Sequence, residues 1–547
     1  MKILLLFSLF LLATTTAKAV PAKRGLWSTI TLSDGTQVRV ELRGDEHLHY
    51  LQAADGTCYI KKNGNYELVD ATTLHARRAK NMSRRKILYA STPDGLGQYG
   101  KMSMGAAPSI GQYAIPVVMV QFSDMKFQST TTIEKMKRYY NEEGYSDEEY
   151  CVGSVRDYFI SQSHGMFVPT FDVVGIVTLS KSYKYYGEND ENGDDKNLDY
   201  ISGDVINAAI SQLGVDFSKY VIPARDANHS EGVPLMAMFY AGPGEATEPS
   251  ETGADYMWPC MWDDHMDTVA HGDYAGIHFN SFFIGNELFS DRTLAGIGIF
   301  CHEMGHILGL PDFYVTDYGY TGDHAFYLWS VMDMGCKIND AHTPIGYTAY
   351  EKSYMGWLEL KEIGDAEQVT LQSPSGTGEN SAYIIRASDT ETFIFENRQP
   401  DTWYPESMGS GVMVTRIAYD KNQWYSNTLN NIQSAKRAII MTADNIVLQD
   451  FGDVTPLNLF GNGVSSIQSL KTLSGEDRDV NISNIVKNDD GTITLTIDHT
   501  ATGISSLQKD TDRPRRFHTL QGTLAGRNHQ HLQPGIYVTN GKKIVVK

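Results

Sequence analysis

Residues 300–314, Phe300 to Tyr314, read FCHEMGHILGLPDFY, and this stretch decides the fold. Apolar and small residues from Leu294 to Leu308 predict a helix. His302 and His306 stand four residues apart on it, so both imidazoles lie on one face and can hold one metal ion. Glu303 follows the first histidine, within reach of a water beside that ion. Gly309 and Pro311 break the helix, and the chain can then turn back to offer Asp312 to the same ion. Two neutral histidines and one carboxylate leave a fourth position open, the pattern of a catalytic zinc rather than a closed structural one. Zinc would polarise a carbonyl and acidify the water, and Glu303 would carry the proton to a leaving amine. The plainer alternative is a helix whose histidines are merely packed.

Outward from this helix the pattern alternates. Ala114 to Phe122 reads as a buried strand, 132–140 and 151–163 as helices, and Phe171 to Leu179 and Leu235 to Phe239 as strands. This predicts an α/β-type domain over 110–360. After it come short strands with turn signals: Gln368 to Leu371, Ala382 to Arg386, Thr392 to Glu396, Gly411 to Ile417, Ala438 to Met441 and Thr492 to Ile497. They predict an all-β, sandwich-like domain over 361–502. Before residue 110, Leu26 to Leu32 and Val38 to Leu42 predict a small β-rich module with turns at Asp34-Gly35 and Asp55-Gly56. A basic run from Arg77 to Lys86 follows, read either as a solvated linker or helix face, or as an exposed site for proteolytic maturation.

The chain begins MKILLLFSLFLLATTTAKA: a basic Lys2, an apolar stretch from Ile3 to Ala13, and the small-x-small Ala17-Lys18-Ala19. Residues 1–19 are therefore expected to be a secretory signal peptide, the apolar stretch being too short to span a bilayer. Five cysteines without a CxxC pair exclude a disulfide framework and a zinc ribbon, though one disulfide is possible. Of 547 residues, 46 are basic and 66 acidic, a formal net charge of −20, which argues against nucleic-acid binding through a broad basic surface. The charge is uneven: 1–19, 20–100 and 503–547 carry +2, +4 and +6, and 101–502 carries −32. Gly187 to Asn197, GENDENGDDKN, offers hard oxygen donors that suit calcium, or is an ordinary solvated acidic loop.

On the 300–314 segment the chain resembles the immune inhibitor A-type metallopeptidases, secreted bacterial zinc enzymes with the pattern H-E-x-x-H-x-x-G-x-x-D. Other stretches resemble the same family: SVRDYFISQSHGMF at 154–167, FDVVGIVTLSKSYKYYG at 171–187, IGYTAYEKSYMGWL at 345–358, FIFENRQ at 393–399, and 409–417. The resemblance implies a zincin-type, metzincin-like α+β fold. It implies His302, His306 and Asp312 as zinc ligands and Glu303 as general base. Trp329-Ser330-Val331-Met332 is similar to the methionine turn that floors such a site, which singles out Met332. One departure stands at Arg416, where relatives often carry a histidine. A competing third ligand is Glu351, since other zinc peptidases use a glutamate far downstream; its other role would be a cap or salt bridge on the 345–357 helix. Tyr314, Tyr347 and Tyr350 could stabilise an oxyanion or simply pack, and none is assigned.

The expected product is a secreted zinc endopeptidase acting on proteins or peptides. Its order is signal peptide (1–19), pro-segment and linker (20–109), catalytic domain (110–360), β-sandwich-like domain (361–502), and linker with C-terminal segment (503–547). The pro-segment is expected to act as an intramolecular inhibitor, docking partly by charge, with Cys58 either capping the zinc or incidental. LQPGIYVTNGKKIVVK at 532–547 resembles the sorting domain of the type IX secretion machinery; its plainer reading is a final hairpin around Asn540-Gly541. Rival readings are an exopeptidase with the same chemistry, a surface adhesin that keeps the fold without catalysis, and a glycan-binding role for 361–500.

Overall fold

The structure is a computed structural model. It describes residues 21–499 except 24, 46–47, 63, 83–94, 96–105, 191–194, 226–229, 249–252, 264–272, 275, 290–291, 317–323, 364–366 and 479, together with four strands beyond 516. The signal-peptide reading at 1–19 lies outside the described residues. The chain to Asp498 forms one compact unit, and His499–Lys547 forms a second.

The N-terminal module is an antiparallel meander, β1 (Trp27–Thr31), β2 (Gln37–Asp45), β3 (Leu48–Ala53), β4 (Cys58–Lys62) and β5 (Asn65–Val69). Its tight turns are local chemistry: Asp34 and Asp55 accept the backbone N–H of Thr36 and Thr57 at 2.9 Å. Asp70 caps the following helix α1 (Ala71–Met82) by accepting the Thr73 N–H at 2.7 Å. The basic run therefore begins inside a helix. Its Arg78 is not solvated but buried, 3.4 Å from the buried Asp45 carboxylate.

The central sheet has the order β7-β6-β8-β12-β9. β6 (Ala114–Gln121), β7 (Thr170–Thr178), β8 (Met236–Pro243) and β12 (Ser281–Leu288) are parallel where they pair. β9 (Cys260–Asp263) runs antiparallel to β12 as the outer strand among the described residues. β6 reads as an unbroken apolar run because both its faces are covered, whereas the edge strand β7 alternates buried and less buried residues. β12, SFFIGNEL, is a core strand that the sequence reading did not anticipate. Helices α2 (Ile133–Asn141) and α3 (Val155–Gln162) start at side-chain caps, Thr132 and the Ser154/Asp157 capping box. Two further helices, α4 (Tyr183–Gly187) and α5 (Ile201–Ala208), and a two-residue hairpin, β10 (Asp273–Tyr274) with β11 (Ile277–His278), complete this layer.

Helix α6 (Gly298–Ile307) is shorter than the expected 294–308, because Leu294 pairs back with Leu288 instead of helping to start it. Every residue of α6 is buried, His302, Glu303 and His306 included. Of the stretch 345–358, only α7 (Ala349–Tyr354) is helical.

Downstream, β13 (Lys361–Glu362), β15 (Ala382–Arg386), β16 (Glu391–Arg398), β17 (Gly411–Ala418) and β18 (Ala438–Ile440) make one sheet. β14 (Glu367–Leu371), β22 (Ile493–His499) and β21 (Val480–Lys487) make another, beside the small hairpin β19 (Leu470–Lys471) and β20 (Asp477–Arg478). Phe393, Phe395, Val412 and Val414 of the first sheet share an apolar core with Leu371, Ile482 and Leu495 of the second. The opposite face of the first sheet, with Ile384, Ile394, Met413 and Ile417, joins the core that surrounds α6. The short helix α8 (Lys421–Tyr425) lies between β17 and β18.

The second unit is a four-stranded sheet, β24 (Leu524–Gly526), β23 (Phe517–Thr519), β25 (Gly535–Thr539) and β26 (Lys542–Val546), whose last two strands form a hairpin across 540–541. All five cysteines are free thiols. Among the described residues no helix is long and apolar enough to cross a membrane.

Candidate metal centre

α6 ends where Gly309 takes a left-handed φ of +106°, a conformation a side chain would resist. The turn sends residues 310–316 back alongside the helix. Three side chains from the two segments meet: His302, His306 and Asp312, all buried. Their donor atoms form a near-equilateral triangle. The two Nε2 atoms are 3.1 Å apart, and Asp312 Oδ1 lies 3.2 Å from His302 Nε2 and 3.1 Å from His306 Nε2.

This geometry fits a zinc ion. His302 Nδ1 sits 2.8 Å from the Val331 carbonyl and His306 Nδ1 2.8 Å from the Leu310 carbonyl, so each Nδ1–H donates outward. That assigns the Nε2 lone pairs to the interior. Two lone pairs and a carboxylate oxygen then converge in a dry site, an arrangement that a cation relieves. Tetrahedral ligands at about 2.0–2.1 Å from zinc are roughly 3.3 Å apart, close to the edges seen. Without a cation the cluster favours a proton. Burial works to lower the His302 pKa, but the hydrogen bond to Asp312 and the neighbouring Cys336 outweigh it and push it well above the ordinary value. Burial would likewise raise the Asp312 carboxyl, yet His306 and His302 hold it well below the usual range.

The surroundings fix these side chains. Met332 lies beneath α6: a Cβ on Gly305 would sit 2.4 Å from its sulfur, so any side chain there has to displace the buried thioether. The Met332 carbonyl accepts the Phe313 N–H at 2.8 Å, tying the ligand loop to the floor. Glu303 is buried on α6 directly after the first histidine. Glu351 is not part of the triangle. It is the N3 residue of the Thr348 capping box on α7 and accepts from the Ser330 hydroxyl, and burial pushes its carboxyl pKa up. The tyrosines differ too. Tyr314 stacks beside His302, with ring centroids 6.4 Å apart. The Tyr347 hydroxyl is spent on the Cys301 carbonyl at 2.7 Å, and Tyr350 packs against Phe313 and Trp424.

Other expected features lie elsewhere. Cys58 sits in β4 beside Gln52 and the Gly56 carbonyl, outside the triangle, and burial raises its thiol pKa, which disfavours a zinc-binding thiolate. In the acidic loop, 191–194 lie outside the described residues, and Asp195 accepts the Trp258 N–H at 2.9 Å. Arg416 donates to the Lys436 carbonyl at 2.7 Å and lines a cavity of about 240 Å³ with His324 and Lys436. One participant escaped the sequence reading: Asn427, whose amide reaches Asp312 from the region between β17 and β18.

Comparison with known proteins falls on the same segment. Residues 114–361 match the family described as immune inhibitor A peptidase M6, catalytic domain. The chain is 27% identical over 219 residues to a protein named pre-pro-metalloprotease PrtV from Vibrio cholerae, covering 37% of this chain and 23% of that protein. It is 23% identical over 359 residues to a protein named immune inhibitor A from Bacillus thuringiensis, covering 58% of this chain and 49% of that one. The chain thus spans between about a quarter and a half of the length of these curated relatives. Residues 114–361, which hold the H-E-x-x-H helix and the ligand triangle, are thus similar to the peptidase M6, immune inhibitor A catalytic domain.

Proposed function

We propose that the protein is a secreted zinc endopeptidase made as a latent preproprotein. The carrying observation is the buried triangle of His302, His306 and Asp312, with Glu303 on the same helix. His302, His306 and Asp312 would hold the ion, which when bound polarises the scissile carbonyl and acidifies a water. Glu303 takes the proton from that water and delivers it to the leaving amine. The burial of the cluster strengthens each charge interaction in it. β9, the outer strand of the sheet among the described residues, runs against α6. An extended peptide could pair with that strand's edge and lie across the site, which supports cleavage within a chain. The N-terminal module is the proposed latency element, the 361–502 region a sandwich-like support, and the last strands a sorting segment.

The test is casein hydrolysis by the wild type and Glu303→Ala, with zinc quantified in both, followed by peptides blocked at both termini. Equal activity in the two proteins would end the peptidase reading. Cleavage only of unblocked peptides would make it an exopeptidase.

A further inference from the structure

We infer that Asn427 is a positioning residue for the third metal ligand, and that the region downstream of the matched catalytic domain is therefore a working part of the site. This rests on the zinc-site reading above. Asp312 has two oxygens with different duties. Oδ1 faces the histidines, and Oδ2 accepts from the Asn427 side-chain N–H. The Asn427 carbonyl oxygen Oδ1 in turn accepts the Asp312 backbone N–H at 2.8 Å. A single amide thus grips the aspartate at main chain and side chain together. That leaves the carboxylate one rotation, the one that aims Oδ1 at the two Nε2 atoms. The task needs a donor and an acceptor a fixed distance apart, which a primary amide supplies and a carboxylate or hydroxyl of the same reach does not.

The clamp is itself held. Asn427 is buried and takes a left-handed φ of +55°, which asparagine tolerates better than most residues. Its backbone carbonyl accepts the Thr316 hydroxyl at 2.6 Å. Asn431 accepts the Thr316 N–H at 2.8 Å, and Asn430 donates to the Phe313 carbonyl at 2.8 Å. Three asparagines from this stretch therefore bond the main chain of the ligand segment at Asp312, Phe313 and Thr316. All three lie beyond residue 361, where the family match ends.

Removing a partner that orients a metal ligand commonly lowers metal affinity about 10–100-fold. The experiment uses the full chain and a chromogenic chelator to compete for zinc, with the visible spectrum of the cobalt-loaded protein as a second readout. Asn427→Gly keeps the left-handed backbone and deletes only the clamp. It is expected to weaken zinc binding about 10–100-fold and alter the cobalt spectrum, alongside a lower metal-free melting temperature, since the buried Asp312 N–H and Oδ2 lose this partner. Asn431→Ala, which frees the Thr316 N–H but leaves both Asn427–Asp312 bonds in place, should weaken zinc binding less than Asn427→Gly does. Wild-type affinity with an unchanged cobalt spectrum in Asn427→Gly would overturn the inference, and so would an equal loss in Asn431→Ala. Should Asn427→Gly fail to fold, Asn427→Ser, too short to bridge both Asp312 atoms, takes its place; an altered cobalt spectrum supports the clamp and a wild-type one refutes it. A wild-type chain that holds no zinc would instead bring down the metal-site reading and this inference with it.

Discussion

At the scale of single residues, the proposed function separates the site into groups that would hold the ion and one that would react. Glu303→Gln should keep its zinc and lose casein hydrolysis by about 10²–10⁴-fold, the usual worth of a general base; metal analysis and turnover on one preparation check both halves. Asp312 and Glu351 give opposite expectations. Asp312→Ala should lose zinc, because its Oδ1 completes the triangle. Glu351→Gln should retain zinc, because its carboxylate caps α7 and holds Ser330. Zinc retained without Asp312 but lost without Glu351 would reverse the ligand assignment. The convergence of His302, His306 and Asp312 was legible in the sequence, since i, i+4 spacing and a helix-breaking Gly309 bring these side chains together locally. Asn427 was not legible: it lies 115 residues from its partner, and no periodicity marks a buried asparagine.

At the scale of elements, α6 depends on close approach to the turn below it. Gly305→Ala would put a methyl against the Met332 sulfur and should cost about 1–3 kcal/mol of stability by overpacking; urea unfolding of the metal-free protein measures it. The end of α3 carries a pH signal. His164 Nδ1–H donates to the Gly376 carbonyl, 2.8 Å away, and burial with the nearby Lys352 charge lowers its pKa to about 4 from 6.5. The unfolded chain therefore binds the proton first as pH falls, so native stability should decline from about pH 6.5 towards 4. His164→Asn, which suits the same left-handed backbone, should flatten that decline in the urea midpoint. Element identity was readable where one force acts alone, as in the apolar run of β6 or the alternation of β7. It failed where tertiary contact overrides pattern: 294–297 are pulled from α6 by the Leu288 pairing, and β12 interrupts its apolar run with Gly285 and Asn286.

At the scale of the molecule, the uneven charge leads to the expectation of an N-terminal module docked partly by complementary charge, and its contacts mix buried apolar and polar groups. Ala22 and Leu42 share a core with Trp258, and His49 stacks on that indole with centroids 5.0 Å apart and lies 3.2 Å from Glu245. The pair Lys23–Asp340 is exposed, and such pairs are worth about 0–1 kcal/mol. After proteolytic nicking within 83–105, the N-terminal fragment should therefore stay with the rest on size exclusion in both dilute and molar salt. Release in molar salt alone would restore the electrostatic account. The Asn427 clamp has a further consequence in time. A ligand segment made early in synthesis waits for a turn more than a hundred residues later, and closing so distant a contact is entropically slow. During refolding, zinc uptake should lag behind recovery of the central sheet. A chain still being made would then carry a folded scaffold before its site is complete, a delay written into the order of its residues.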